Sequence, residues 1–208
     1  MIVPLSTPYL HAISEAHIEL DPTAFLSQIK EVGVEFREKI FYPSLLESSD
    51  CFVWLYLVNN NLAGYIVGTK NTGSFYRRLQ RKNPFLLFWL ILKAVLTMPQ
   101  LLVKYIMATL RVEKMLSQEV TPAEILSFGV LPQYRTVEFE QSRETSIAEE
   151  LFGKAMESFR RWGVPTYKVM TTQENKAANR FYEKRGCRLI GTAQPFDLPC
   201  NVFAGEPT

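Results

Sequence analysis

The sequence is poor in the residues that build disulfide frameworks and metal sites, and it carries almost no net charge. Its three cysteines are far apart and lack a pairing rhythm or metal-ligand spacing: Cys51, Cys187 and Cys200. Only two histidines are present, His11 and His17. We therefore expect no metal site, and free structural thiols in a reducing, cytoplasmic compartment. A formal net charge of +2 gives no electrostatic reason to expect a nucleic-acid partner.

The sequence also lacks an uninterrupted apolar run long enough to cross a membrane. No basic region precedes a long apolar stretch near the N-terminus, so a signal peptide is not expected. Residues 84–114 are strongly apolar, but Lys93, Pro99 and Lys104 interrupt them. A bilayer span needs roughly 20 apolar residues with few charges. We predict a hairpin of two helices instead, within a helical insertion that covers residues 74–116.

The first helix of this hairpin is apolar on all sides, which predicts burial against another surface. One interpretation places it within the fold or in a dimer contact, which leaves a homodimer open. The other gives it a hydrophobic substrate or a membrane surface to contact.

The composition otherwise indicates one soluble globular domain over residues 1–208. Hydrophobic residues make up 47% of the chain and charged residues 21%, which is ordinary for a packed domain. Residues 22–46 carry apolar side chains at helical intervals and predict one or two amphipathic helices. Two β-rich runs, 51–58 and 62–69, flank three asparagines, and this arrangement predicts a hairpin because asparagine tolerates the positive φ of tight turns.

The C-terminal half alternates between strand and helix patterns. We predict a strand at AEILSFGVL, a helix at about 147–162, a strand at TYKVMT, a helix at about 177–185 and a strand at CRLIGTA. Gly163 and Gly186 follow the two helices, as glycine commonly does at a helix end. The alternation favours an α/β arrangement, and the N-terminal hairpin makes the sheet mixed.

Two blocks of this half resemble the GNAT superfamily of acyl-CoA-dependent N-acyltransferases. The first is the strand AEILSFGVLPQYR, 123–135, which ends in a Val-x-Pro-x-x-Arg segment. The second, NKAANRFYEKRGCRLIG, 175–191, is the closer match. The residues of this block that fall in register with the family are Asn175, Ala178, Phe181, Tyr182, Glu183, Lys184 and Gly186. The resemblance implies a mixed, mostly antiparallel central sheet flanked by helices.

The loop that binds the pyrophosphate of acyl-CoA in this family departs from the usual pattern. It corresponds to TVEFEQSRETSIAEELF, 136–152, several residues longer than usual. The best registration places Arg143 first, Ser146 where glycine is expected and Ala148 last, with Thr145 and Ile147 between them. Backbone N–H groups at a helix N-terminus bind anions whatever the side chain, so the resemblance still implies a phosphate site.

The resemblance also implies roles for individual residues. Tyr182 takes the place of the general acid that protonates the departing thiolate, and Glu124 matches a position where some members hold a general base. The backbone of Phe128, Gly129 and Val130 pairs with pantetheine as another strand would, and Asn175 lies near the CoA. Simpler interpretations are that Tyr182 only packs, Glu124 is an exposed carboxylate on the strand and Asn175 caps a helix.

The function implied is transfer of an acetyl group from acetyl-CoA, as cosubstrate, to a primary amine of a small molecule or peptide, by direct transfer. The alternative is a catalytically degenerate CoA-binding sensor or interaction module, suggested by the altered loop and the apolar insertion.

Overall fold

A computed structural model describes residues 1–21, 30–97, 121–141, 144–194 and 198–207. Its strands form one seven-stranded sheet in the order β1-β2-β3-β4-β5-β7-β6. All neighbouring strands are antiparallel except β4 and β5, which are parallel. The strands are β1 (Ile2–Pro4), β2 (Cys51–Val58), β3 (Asn61–Thr69), β4 (Glu124–Val130), β5 (Tyr167–Thr172), β6 (Arg188–Ala193) and β7 (Cys200–Gly205).

Helices cover both faces of this sheet. The described helices are α1 (Leu10–Leu20), α2 (Lys30–Phe36), α3 (Tyr42–Leu46), α4 (Thr72–Lys82), α5 (Pro84–Thr97), α6 (Val137–Gln141), α7 (Ile147–Arg161) and α8 (Lys176–Lys184). A π-helical turn, Arg37–Phe41, joins α2 to α3. The predicted fold class, a mixed and mostly antiparallel sheet flanked by helices, is confirmed.

The core has two parts because side chains of a strand alternate between the faces of the sheet. On β2, Val53 and Leu55 join a cluster with residues of α1 to α5. The neighbouring Phe52 and Tyr56 join a second cluster with residues of α7 and α8. The predicted hairpin of β2 and β3 is confirmed, with positive φ values of 50° and 63° at Asn59 and Asn60.

Helix α5 is the first arm of the predicted apolar hairpin, and it is buried on one side only. Leu90 is 1% exposed, whereas Phe85 is 86% and Phe88 66% exposed. The expected burial within the fold therefore holds for one face of the helix. The second arm lies outside the described residues, so the extent of the 74–116 insertion stays a prediction. Among the described helices, none is long and apolar enough to cross a membrane.

Candidate active site

A cleft opens where the two parallel strands at the centre of the sheet separate. β4 and β5 pair at only two positions, Glu124 with Lys168 and Ile125 with Val169. Beyond them β5 continues to pair along its whole length with β7, while β4 stays with β3. A β-bulge at Leu126 shifts the register of β4 at the same point. The space between the strands is a cleft of about 430 Å³.

Polar side chains from strands β3, β4 and β5, from helix α8 and from two adjoining loops line this cleft. They include Asp21, Tyr65, Glu124, Ser127, Asn175 and Tyr182. Two of these groups are carboxylates, and the lining within the described residues contains no lysine or arginine. These carboxylates can accept hydrogen bonds from a ligand, and the Lys168 ammonium outside the lining balances the charge of Glu124. No group of three or more potential metal ligands occurs among the described residues.

Tyr182 is fixed in the cleft by aromatic packing on α8. Its ring contacts Phe203 and Phe152, at centroid distances of 6.0 and 6.4 Å, and the residue is only 4% exposed. Within the described residues, no protein group forms a hydrogen bond with its hydroxyl. Burial, with a smaller contribution from the Cys187 thiol, raises the pKa of the Tyr182 phenol above its ordinary value. The phenol is therefore protonated at neutral pH and has no structural hydrogen bond to lose.

Glu124, at the start of β4, is held in place at the end of the cleft where β4 and β5 are still paired. The Thr72 hydroxyl donates to its Oε2 at 2.7 Å, and the Lys168 ammonium lies 3.7 Å away. The side chains of Glu124 and Lys168 are each only 15% exposed. This carboxylate is thus more enclosed than the exposed strand-face position that a simpler interpretation predicted.

A buried chain of hydroxyls and a histidine extends from the cleft into the core. Ser127 Oγ lies 3.1 Å from Tyr65 Oη and 3.4 Å from His17 Nε2. On the other side of the ring, His17 Nδ1 lies 2.9 Å from Tyr42 Oη. Burial and the nearby Arg37 guanidinium hold the pKa of His17 well below its usual 6.5. The ring is therefore neutral, with one nitrogen able to donate and the other able to accept.

Sequence reasoning missed this chain because its members are far apart in sequence. Ser127 and His17 are 110 residues apart, and Tyr65 lies 62 residues before Ser127. Serine in a strand and a lone histidine in an amphipathic helix carry no motif. The available signal was that Ser127 lies on the same strand as the predicted Glu124 and Phe128.

The segment predicted to pair with pantetheine lies on the diverging part of β4. Phe128, Gly129 and Val130 pair with β3 on one edge. Among the described strands, nothing pairs with this segment on the opposite edge. Phe128 lines the cleft, whereas Val130 is buried at the strand end. At Gly129 an added Cβ would stand 2.5 Å from Leu20 Cδ1, so α1 approaches this strand closely.

The predicted phosphate loop leads into the N-terminus of α7, where Ser146 is the N-cap. Ser146 Oγ accepts from the Glu149 amide at 3.2 Å, and the Glu149 carboxylate accepts from the Ser146 amide at 3.4 Å. This reciprocal capping box explains why serine stands where the family has glycine. The amides of Ile147 and Ala148 donate to no acceptor among the described residues, so two N–H groups remain for an anion.

Of the other two predicted residues of this loop, the structure describes Thr145 but not Arg143. The Thr145 hydroxyl donates to Glu150 at 3.3 Å, beside the capping box. Arg143 lies outside the described residues, and its phosphate contact stays a prediction.

The start of α7 adjoins the end of β4, because an added Cβ at Gly64, which pairs with Val130, would stand 3.3 Å from Ile147 Cγ2. The helix N-terminus and the β4 edge therefore form neighbouring surfaces.

Asn175 both caps a helix and lines the cleft. Its Oδ1 accepts from the Ala178 amide at 3.0 Å at the N-terminus of α8. Asn175 is thus a helix cap, as the simpler interpretation predicted. Because the residue also faces the cleft, the cap does not exclude the predicted contact with CoA.

Solved structures of acetyltransferases share this architecture over nearly the whole chain. The PaiA N-acetyltransferase from Thermoplasma acidophilum, in complex with coenzyme A, superposes with a TM-score of 0.60 at 13% identity, covering 99% of this chain and 98% of that one. An N-acetyltransferase from Staphylococcus aureus gives 0.59 at 14% identity, covering 100% and 98%. A ribosomal-protein alanine N-acetyltransferase from Escherichia coli gives 0.57 at 13%, covering 100% and 94%.

The chain therefore has the GNAT fold, as the two sequence blocks predicted. No protein-family model matches the sequence, and comparison with curated proteins gives no match. At these identities the likeness establishes the fold, and the activity must be argued from the site.

Proposed function

We propose that the protein is an N-acyltransferase that moves an acetyl group from acetyl-CoA to a primary amine by direct transfer. The observation that carries this proposal is the separation of β4 from β5. It creates a cleft with one strand edge along it and the Tyr182 side chain in its lining. The coenzyme A bound to a structure of the same fold supports acetyl-CoA as the donor.

The chain offers a continuous set of groups for the donor. The β4 edge at Phe128, Gly129 and Val130 would hydrogen-bond pantetheine in the manner of an added strand. The free amides of Ile147 and Ala148 would hold the pyrophosphate, assisted by the positive end of the α7 dipole. Thr145 and Ser146 lie beside these amides, the sequence resemblance assigns Arg143 to the same phosphate, and Asn175 would contact the donor from the α8 side. Acetyl-CoA itself supplies an acetyl group already activated as a thioester.

In the transfer step the amine nitrogen attacks the acetyl carbonyl carbon, a C–N bond forms and the C–S bond breaks. The departing thiolate takes a proton from the Tyr182 hydroxyl, which acts as general acid. The acceptor first gives up its ammonium proton to water, so that the neutral nitrogen attacks, and the nitrogen then loses one further proton to Glu124, directly or through a water. Glu124 and Tyr182 return to their starting forms by exchanging protons with solvent, so charges and protons balance over the cycle. The Ser127 hydroxyl, backed by neutral His17, orients the nitrogen in the cleft.

The lining supports an amine as acceptor. A primary amine donates hydrogen bonds, and the Asp21 and Glu124 carboxylates in the lining can accept them. The acceptor is a small molecule or a peptide with a primary amine, as the sequence implied.

The first test is binding of acetyl-CoA. At about 100 times its dissociation constant a ligand adds roughly 2.7 kcal/mol to the stability of a one-site protein, so we expect a clear rise in melting temperature. Thiol release with a panel of small amines and peptides then measures transfer. If millimolar acetyl-CoA gives no shift and no calorimetric heat, the donor assignment is wrong.

One observation favours a second candidate, a CoA-binding sensor or interaction module without catalysis. The Glu149 carboxylate accepts from the Ser146 amide where an anion would bind, and it repels phosphate. A sensor would bind acetyl-CoA but release no thiol with any amine in the panel. Turnover with any amine excludes it.

A further inference from the structure

The charges of the chain are unevenly distributed along the sequence. Residues 51–112 contain no aspartate or glutamate but eight lysines and arginines, whereas the rest of the chain has 15 basic and 21 acidic residues. The segment therefore carries +8 and the remainder −6, which together give the net charge of +2. The basic residues of the segment are Lys70, Arg77, Arg78, Arg81, Lys82, Lys93, Lys104 and Arg111.

Helix α4 carries four of these basic residues on its exposed surface. Arg78 pairs with Asp50, and Lys82 pairs with Glu47. Arg77 and Arg81, one helical turn apart, form no ion pair with any described carboxylate, and both are exposed. They keep their positive charge available to an external anion.

Helix α5 follows α4 directly and presents an apolar stripe. Phe85, Phe88, Trp89 and Leu96 are 86%, 66%, 58% and 76% exposed. With Leu92 they occupy positions i, i+3, i+4, i+7 and i+11, which lie on one side of an α-helix. The opposite side, with Leu86, Leu87 and Leu90, packs into the core. This stripe is therefore not needed to hold α5 on the domain.

We propose that the α5 stripe and the basic surface of α4 form a docking surface for an anionic phospholipid bilayer. Aromatic and leucine side chains on one face of a helix insert at the boundary between headgroups and acyl chains, and nearby lysines and arginines attract anionic lipids. Helix α5 has 14 residues and would lie on the bilayer rather than span it.

The charge distribution favours this occupant over the others. A second copy of the chain docked on the same face would bring two sets of unpaired arginines together, which disfavours a symmetric dimer there. A nucleic acid would meet the basic residues but leave the exposed phenylalanines and tryptophan in water. A lipid surface satisfies both the apolar stripe and the positive charge.

The test is co-sedimentation with vesicles of phosphatidylcholine alone and of phosphatidylcholine with phosphatidylserine. We expect binding to the anionic vesicles, weakened by salt, and much weaker binding to neutral ones. Phe88→Gln/Trp89→Gln should lower the partition coefficient at least ~10-fold because the inserted apolar area is lost. Arg77→Gln/Arg81→Gln should lower it by roughly fivefold per arginine.

Matched controls lie elsewhere on the surface. Leu189→Gln removes a 56% exposed leucine on the edge strand β6, and Arg160→Gln removes an exposed arginine of α7. Both should bind vesicles like the wild type. Because all the substituted side chains are exposed, melting temperatures should stay close to the wild-type value, which excludes unfolding as a cause.

Two kinds of result would overturn the proposal. One comes from the vesicles: no binding to anionic vesicles at low salt, or equal binding by the wild type and both double variants. The other is a dimer, seen by sedimentation equilibrium, that Phe88→Gln/Trp89→Gln dissociates while no form binds vesicles. Neither result bears on acetyl transfer, which is measured without lipid.

Discussion

Replacing Tyr182 by phenylalanine tests the general acid with little disturbance of the fold. The substitution removes one hydroxyl and keeps the ring that packs against Phe152, Phe181 and Phe203. Since no described protein group hydrogen-bonds the hydroxyl, the free energy of unfolding should change by less than the ~1 kcal/mol of a typical lost hydrogen bond. Tyr182 therefore stabilises the fold through its ring, which the phenylalanine variant keeps.

The expected effect on catalysis is large in comparison. Loss of a positioned general acid typically costs ~10²–10⁴-fold, and we expect kcat to fall at least ~10-fold, or about 1.4 kcal/mol in the barrier. The affinity for acetyl-CoA should stay near wild type, because the ring still lines the cleft. Burial raises the pKa of the phenol, so this acid should cause no fall in kcat between about pH 7 and 9.

The assay is thiol release with an amine that the wild type acetylates, combined with calorimetry of acetyl-CoA binding and thermal melts. Tyr167→Phe is the matched control, because Tyr167 is 1% exposed and its hydroxyl lies 3.3 Å from Cys187 Sγ. It should lower the melting temperature and leave kcat unchanged. If Tyr182→Phe keeps full activity, or behaves as Tyr167→Phe does, Tyr182 is a core residue and the acid lies elsewhere.

Three further predictions concern the phosphate site, the acceptor site and the buried histidine. Ser146→Asp should weaken acetyl-CoA binding about tenfold in calorimetry, whereas Ser146→Asn, an equally good cap without charge, should not. Ser127→Ala should lower kcat/KM for the amine about tenfold in steady-state assays while the acetyl-CoA affinity is kept; a parallel loss of that affinity contradicts the assignment. His17 is neutral in the fold but binds a proton when unfolded, so stability in denaturant titrations should fall by about 1.4 kcal/mol per pH unit below pH 6.5. His17→Gln should lack this slope, and an unchanged slope would show that another group causes it.

The sequence predicted the C-terminal half of the fold and the β2–β3 hairpin well because each of these elements has its own local signal. The strand before Pro132, the helices ended by Gly163 and Gly186, and the hairpin around Asn59 and Asn60 lie within a residue or two of their predicted bounds. Glycine and asparagine adopt positive φ at little cost, so their positions mark turns in the sequence itself.

The elements that were missed have weak local signals. β1 has only three residues and is held by pairing with β2, and α1 follows a Thr-Pro-Tyr turn without a strong cap. β7 inserts between β5 and β6, so its place depends on partners that are distant in sequence. Long-range pairing of this kind is fixed by tertiary contacts, which local propensity does not encode.

The candidate site shows the same division between local and distant information. Tyr182 and Asn175 were found because they belong to one contiguous block, whereas Ser127 and His17 meet only when α1 packs on β4. The extra positive charge of residues 51–112 is plain in the sequence, but its meaning depends on exposure. Only the structure shows that α5 leaves Phe88 and Trp89 in solvent.

The altered phosphate loop is best understood as a helix start that is stable without its ligand. In a glycine loop the first amides of the helix stay open until an anion arrives. Here Ser146 and Glu149 satisfy two of them, and Arg185 holds the Glu149 carboxylate at 2.8 Å. If a phosphate displaces the Glu149 carboxylate from the Ser146 amide, the carboxylate remains paired with Arg185. A phosphate could then take the three neighbouring N–H groups of Ser146, Ile147 and Ala148 without breaking the Ser146 side-chain cap.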